Sequence, residues 1–226
     1  FIFPLTIMIF ISSSISSISD SVFDGCSSLT TFTFQPSITS IGCNSFKNCT
    51  SLKELILPTS VQSIGKSSFT GCSLLKTMKI PKSTKIIGCS IFSDCSSLEQ
   101  ITLPSSMKVI PDSFFANCTF LTKFTVPPKI QSIGNSVFEG CKSLTEIQLN
   151  SSIKELGSYA FSGCSSLTKI CIPPSITTIQ SGTFRGCKTL HEIILPPSLE
   201  SIEESAFEDC ISLGNIELPS ALSFIN

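Results

Sequence analysis

Apolar side chains along this chain keep neither a helical nor a simple alternating period, but return at a longer one. The stretch LKELILPTSVQSIGKSSFTGC (52–72) shows the unit, and its apolar, proline and glycine positions recur every 23 residues. Cysteine stands at 26, 49, 72, 95, 118, 141, 164, 187 and 210, with phenylalanine three residues before and leucine three residues after each. No insertion breaks this register from Phe23 to Leu213. Self-similarity at a fixed period of this size is the signature of a stacked repeat array.

Each part of the unit predicts a local element. In Leu-x-x-ϕ-x-ϕ, with ϕ apolar, the last two apolar positions alternate, as a half-buried strand requires. Proline follows in seven of nine units, at 58, 81, 104, 127, 173, 196 and 219. It has no N–H to donate, so it ends the strand. The next stretch, ϕ-x-x-Ile, brings two apolar side chains inward along an extended return. Gly-x-x-ϕ-Phe-x-Gly-Cys is too short for a long helix and is read as one helical or 3₁₀ turn. Before each ladder cysteine stands Gly, Asn or Asp (Gly25, Asn48, Gly71, Asp94, Asn117, Gly140, Gly163, Gly186, Asp209). These residues tolerate positive φ, which predicts a left-handed turn ending that segment.

One such unit cannot bury its own apolar residues. Stacking in register lets each Phe, Cys, Leu and Ile pack on its counterparts above and below, with the leucine-side strands joined as a parallel sheet. The expected fold is therefore an α/β solenoid: a right-handed leucine-rich-repeat coil with a parallel sheet on one face and short helical or 3₁₀ turns and extended segments elsewhere. Residues 1–226 form a single array.

LTKICIPPSITTIQSGTFRGC (167–187) and LEQITLPSSMKVIPDSFFANC (98–118) resemble the BspA-like leucine-rich repeat family, the Treponema pallidum type, and the likeness covers essentially the whole chain. The resemblance implies a surface or extracellular protein of bacteria or mucosal protozoa, with attachment to host matrix proteins or to neighbouring cells. It brings no shared catalytic residues. The asparagine ladder of ordinary leucine-rich repeats is absent. Thr84 replaces an apolar residue, Asn150 a proline, and Pro111, Gln180 and Glu203 the first glycine; each is expected to be tolerated singly.

The N-terminal FIFPLTIMIFISSSISSI carries no charge before Asp20. It is read as a further repeat, with Ile9, Ile11, Ile15 and Ile18 in register; a signal-peptide core is the alternative, although no basic segment or small-residue cleavage site accompanies it. Phe1 to Ile11 is too short to span a bilayer, so no direct membrane insertion by this chain is expected. At the other end the pattern runs to Ile225 and stops mid-unit, which suggests a piece of a longer array.

Composition narrows the chemistry. Only 14% of residues are charged, the formal charge is −1, and there is one His, one Tyr and no Trp. Nothing pulls the chain toward nucleic acid. Charge is nevertheless uneven: residues 47–188 hold all fifteen Lys and Arg against seven acids, and residues 189–226 hold seven acids and no base. Either this is ordinary surface variation or it orients a partner along the array.

Twelve cysteines raise disulfides and zinc. Nine belong to the ladder, where parallel Cα–Cβ vectors suit packing better than bridging, and they are read as small buried hydrophobes. There is no Cys-x-x-Cys and His191 is the lone histidine, so neither metal nor cofactor is expected. Cys43, Cys89 and Cys171 lie outside the ladder, and Cys171, between two inward isoleucines, should point outward. Sequons at Asn48, Asn117 and Asn150 are N-glycosylation acceptors if the chain enters a eukaryotic secretory path; for the first two, a left-handed turn residue is a sufficient explanation.

Outward strand positions form the candidate binding face, notably Glu54, Ile56, Lys79, Lys123, Glu146, Lys169, Glu192 and Ile194. This surface is mixed and poor in the aromatics that anchor interfaces. Leu74 and Phe120 break a rule of Ser or Thr before the ladder leucine, and are read as locally packed, with exposed contacts as the alternative. KTMKIPKSTK (76–85) is the one basic run, a solvated edge by default and a glycosaminoglycan contact otherwise. The functional expectation is a non-catalytic module that binds a host or neighbouring-cell protein. The alternative is a spacer presenting another domain. An enzyme would need a nucleophile and base drawn from one His and scattered acids, without a Gly-x-Ser-x-Gly turn or phosphate loop, and is not expected.

Overall fold

The computed structural model describes residues 12–226. The chain winds into a parallel β-solenoid of about nine turns, one 23-residue unit per turn. Among the described residues there is no helix. Each coil from Thr31 to Ile202 contributes a three-residue strand and a two-residue strand, so two columns of strands run along the stack.

The three-residue strands are β2 (Thr31–Thr33), β4 (Glu54–Ile56), β6 (Thr77–Lys79) and β8 (Gln100–Thr102), followed by β10 (Lys123–Thr125), β12 (Glu146–Gln148), β14 (Lys169–Cys171) and β16 (Glu192–Ile194). In nearly all of them the outer residues are exposed and the central one buried, as period-two alternation demands. The two-residue strands are β1 (Ser17–Ile18), β3 (Ser40–Ile41), β5 (Ser63–Ile64), β7 (Ile86–Ile87) and β9 (Val109–Ile110), then β11 (Ser132–Ile133), β13 (Glu155–Leu156), β15 (Thr178–Ile179), β17 (Ser201–Ile202) and β18 (Phe224–Ile225). Every pairing is parallel and offset by one repeat, as in Ser40↔Ser63 and Lys123↔Glu146.

Neither column is one continuous sheet. The three-residue strands pair two by two (β2–β4, β6–β8, β10–β12, β14–β16). The two-residue strands form a four-stranded sheet from β1 to β7, a three-stranded sheet from β9 to β13, and a third from β15 to β18. The single sheet expected on one face is thus two segmented ladders on two faces. Both interruptions of the second column fall at residues that replace the first glycine. Built on Gly65, a Cβ would lie 2.5 Å from the Cys43 nitrogen of the coil before; on Gly157, 2.5 Å from that of Asn135. A Cβ at either place would force the adjoining backbone to shift. Gln180 carries a Cβ into that space, and β13 and β15 do not pair. Pro111 cannot donate the N–H that Gly88 and Gly134 give to Ile64 and Ile110 (2.9 Å each), and β7 and β9 do not pair. Glu203 is accommodated, its N–H reaching the Ile179 carbonyl at 2.9 Å.

The segment expected to be a helical turn is instead a row of tight turns laced to the next coil. The N–H groups of Ser67, Phe69 and Gly71 donate to the Cys89, Ile91 and Ser93 carbonyls one coil on (3.0, 3.1 and 2.8 Å), while those of Thr70 and Cys72 close local turns on Ser67 and Phe69. A helix would send all five to carbonyls four residues back. Left-handed residues prevent that. All nine positions before the ladder cysteines have positive φ, as their residue types predict. A second left-handed column, unforeseen from sequence, opens each segment at Ser21, Asn44, Ser67, Ser90, Ser113, Ser136, Tyr159, Gly182 and Ser205.

The interior is the stacked Phe, Cys, Leu and Ile columns. Phe46, Phe69, Phe92, Phe115, Phe138, Phe161 and Phe184 are fully buried, and consecutive rings stack with centroids 5.3–6.2 Å apart. At the N-terminal side Ile18 is buried and β1 pairs with β3 in register, so the repeat extends to Ser17. The expectations for Phe1 to Ile11, whether repeat or signal peptide, lie outside the described residues.

Candidate binding surface

Two extended strips face solvent along the three-residue strands, at the first and third position of each. They hold all eight sequence-predicted residues: Glu54 and Ile56 on β4, Lys79 on β6, Lys123 on β10, Glu146 on β12, Lys169 on β14, and Glu192 and Ile194 on β16. The buried middle residues Leu55, Met78, Phe124, Ile147, Ile170 and Ile193 anchor these strands in the core, so the outer side chains are held on a fixed spacing.

Shallow depressions lie between this face and the proline corner. One of about 490 Å³ spans β4, β6 and β8 and is lined by Ile56, Thr77, Lys79, Pro81, Gln100 and Thr102. A second, of about 360 Å³, lies over β10 and β12, and a third, of about 460 Å³, beside β16. Ile56 is 83% exposed at the rim of the first, and Ile194 is exposed at the third. They are the large apolar groups on the face.

Its charges partly neutralise one another. Lys123 Nζ and Glu146 Oε1 are register partners 2.7 Å apart. The hydrogen bond and the opposite charge raise the Lys123 pKa and lower that of Glu146. Lys169 and Glu192 are register partners too, without an ion pair. Lys76–Glu99 (3.4 Å) and Arg185–Glu208 (3.1 Å) also join neighbouring coils. The basic run 76–85 does not form one patch. Lys79 lies on β6, Lys82 on the corner, Lys85 beside β7, and Lys76 is spent on Glu99.

Cys171 is exposed between buried Ile170 and Ile172; Cys43 and Cys89 are half-buried. Leu74 and Phe120 are not locally packed: they stand 43% and 61% exposed. Asn48 and Asn117 occupy left-handed turns, and their side-chain oxygens lie over the α-carbons of Gly71 and Gly140. Asn117 Nδ2 donates to Asp94 at 2.9 Å. Asn150 is engaged at both ends, donating to the Pro127 carbonyl (3.0 Å) and accepting the Ser152 N–H (2.9 Å). His191 Nδ1 meets the Thr189 carbonyl at 3.1 Å rather than a nucleophile. Among the described residues no cluster of His, Cys, Asp or Glu is placed to hold a metal, and no helix is long and apolar enough to cross a membrane.

Sequence reasoning missed the role of the cysteines. Each ladder thiol from Cys49 to Cys210 donates to the backbone carbonyl of a phenylalanine 26 residues earlier, at 3.0–3.2 Å. The cue was the fixed spacing between Phe and the Cys of the next unit. Burial raises these thiols, Cys49 to about 12 and Cys210 to about 11.

The family of the "BspA type Leucine rich repeat region (6 copies)" matches this chain over residues 5–122 and 108–226. A leucine-rich repeat protein of Bacteroides ovatus is similar over all of this chain and 82% of its own, at 26% identity and a TM-score of 0.62. The Treponema pallidum leucine-rich repeat protein shares 26% identity over 93% of this chain and 83% of its own, with a TM-score of 0.58. A leucine-rich repeat protein of Eubacterium ventriosum, at 20% identity over 96% of this chain and 80% of its own, has the same fold, with a TM-score of 0.57. No curated protein sequence matches the chain. With the repeat register, the coil geometry and these likenesses in agreement, this chain belongs to the BspA-type leucine-rich repeat family.

Proposed function

We propose that the chain is a non-catalytic protein-binding module, and that a partner protein lies along the three-residue-strand face. Leucine-rich repeat domains typically serve as protein-interaction scaffolds. The observation that carries the reading is the rigid double strip of outward residues, bordered by depressions with Ile56 and Ile194 exposed at their rims. Solenoids use extended surfaces of this kind for binding, and an exposed isoleucine beside charged neighbours is a natural anchor. A location on the cell surface or outside the cell, with a host matrix or neighbouring-cell protein as partner, follows from the family resemblance.

A panel of purified extracellular-matrix proteins, presented to the immobilised chain, tests this. Retention of one of them, abolished by Ile56→Asp with Ile194→Asp and unchanged by substitutions elsewhere on the coil, is the expected result. A chain that retains none of the panel and no intact cells is a spacer, and the binding reading fails.

A further inference from the structure

The second strand column is opened at Pro111, and the opening reaches the core. Lys85 and Ile87 present carbonyls that neighbouring coils would satisfy; here neither has a protein partner, because Pro111 lacks an N–H and β9 does not pair with β7. The Lys108 N–H is likewise unpaired. Across the same step the stacked rings are furthest apart, 6.2 Å between Phe92 and Phe115 against 5.0–5.8 Å elsewhere in the column. Ile87 and Met107 are only partly buried, while their counterparts Ile64, Ile110, Val61 and Ile130 are wholly so. The result is a notch of about 560 Å³. Lys85 and Lys108 stand at its mouth, exposed and without an ion pair among the described residues, beside exposed Ile86 (68%) and Val109.

We propose that this notch is a docking site for an acidic peptide segment bearing an aliphatic side chain. The aliphatic group enters against Ile87, Met107 and Val109. Carboxylates on either side meet the two ammonium groups, and the peptide backbone satisfies carbonyls that the ladder leaves unpaired. Charge complementarity selects an anionic partner, and unpaired backbone groups beside an apolar opening select a peptide over a simple ion, because a peptide brings N–H donors to the Lys85 and Ile87 carbonyls. This site lies on the other strand column from the proposed binding face, so each can fail without the other.

The test uses a short fluorescein-labelled peptide of alternating Glu and Val, titrated with the chain and read by fluorescence anisotropy. Binding should weaken as salt rises, since exposed charge pairs are screened. Pro111→Gly restores both the N–H and the residue type found in most other units. It should close the ladder and weaken binding by roughly tenfold or more, with the circular dichroism of the parent retained. Lys85→Glu with Lys108→Glu should do the same, whereas Ile56→Asp should not. The proposal is overturned if the parent does not bind the peptide, if Pro111→Gly binds it as tightly as the parent, or if an alternating Lys and Val peptide or a simple fatty acid binds equally well.

Discussion

The thiol of Cys118 donates to the backbone carbonyl of Phe92, 3.1 Å away in the preceding coil. That carbonyl also accepts the Cys95 N–H, at 3.1 Å, closing the turn of its own unit. One oxygen thus serves a local turn and the coil above it, and the cysteine column couples the left-handed turns to the stack. A small apolar residue would fill the volume without making this bond, which accounts for cysteine in the eight successive units from Cys49 to Cys210.

Cys118→Ala should therefore destabilise the array by about 1–3 kcal/mol, from a cavity and an under-satisfied buried carbonyl. Cys118→Val restores volume without a donor. Chemical denaturation of both should show the valine variant still below the parent; recovery of full stability by valine would mean that the thiol only fills space.

Phe115→Ala removes a fully buried ring held between Phe92 and Phe138. Its cost should be about 3–5 kcal/mol. Because stacked repeats are coupled to nearest neighbours, hydrogen exchange should rise first in the coils on either side. A variant that melts with the parent would contradict the continuous interior.

The stacking, the core columns and the left-handed turn before each cysteine were legible because each is set by residue type at one position of a unit repeated nine times. What was not legible depends on relations between units. Ser67 and Tyr159 carry no mark of a left-handed turn in their chemistry. They adopt it in a segment whose N–H groups alternate between local turns and the next coil, an alternation that leaves no run of helical bonds. The consequence of Pro111 required knowing that its neighbours donate across coils at that position. On the candidate face, alternation identified which side chains point outward, but the Lys123–Glu146 pair and the depression around Ile56 emerge only from the register and the corner geometry.

Two glycines separate close approach from conformational need. At Gly65 a Cβ would strike backbone atoms at 2.5 and 2.7 Å, whereas at Gly163, with φ of +69°, the nearest atoms are 3.6 Å away. Gly163→Ala should cost about 1–2 kcal/mol from the left-handed conformation. Gly65→Ala must push two coils apart and should cost more, about 3 kcal/mol, with faster exchange of the Gly65 amide. Equal costs in denaturation would remove close approach as the reason for that glycine column.

Thiol labelling follows from burial. In the native protein Cys171 should react first with an aromatic disulfide reagent, and Cys26, Cys43 and Cys89, which are half-buried, more slowly. The eight buried thiols should appear only on unfolding. Rapid native labelling of the ladder would show that the coils open far more readily than a packed stack allows.

The same eight thiols, from Cys49 to Cys210, make the fold sensitive to alkali. Burial disfavours the thiolate, so the folded pKa is raised from the ordinary 9.0, to about 11 at Cys210, about 12 at Cys49 and well upward at Cys72, Cys118 and Cys164. A raised folded pKa means that the unfolded chain releases its proton first. The stabilisation is fully present below pH 9 and is lost as pH rises from there through the folded values. Each thiol contributes a slope of up to about 1.4 kcal/mol per pH unit in that window, and several act together. Denaturation midpoints should therefore be flat from neutrality to pH 9 and then fall steeply, and replacing two ladder cysteines with valine should lessen the fall while lowering the neutral-pH midpoint. A pH profile unchanged by those substitutions would place the alkaline transition elsewhere.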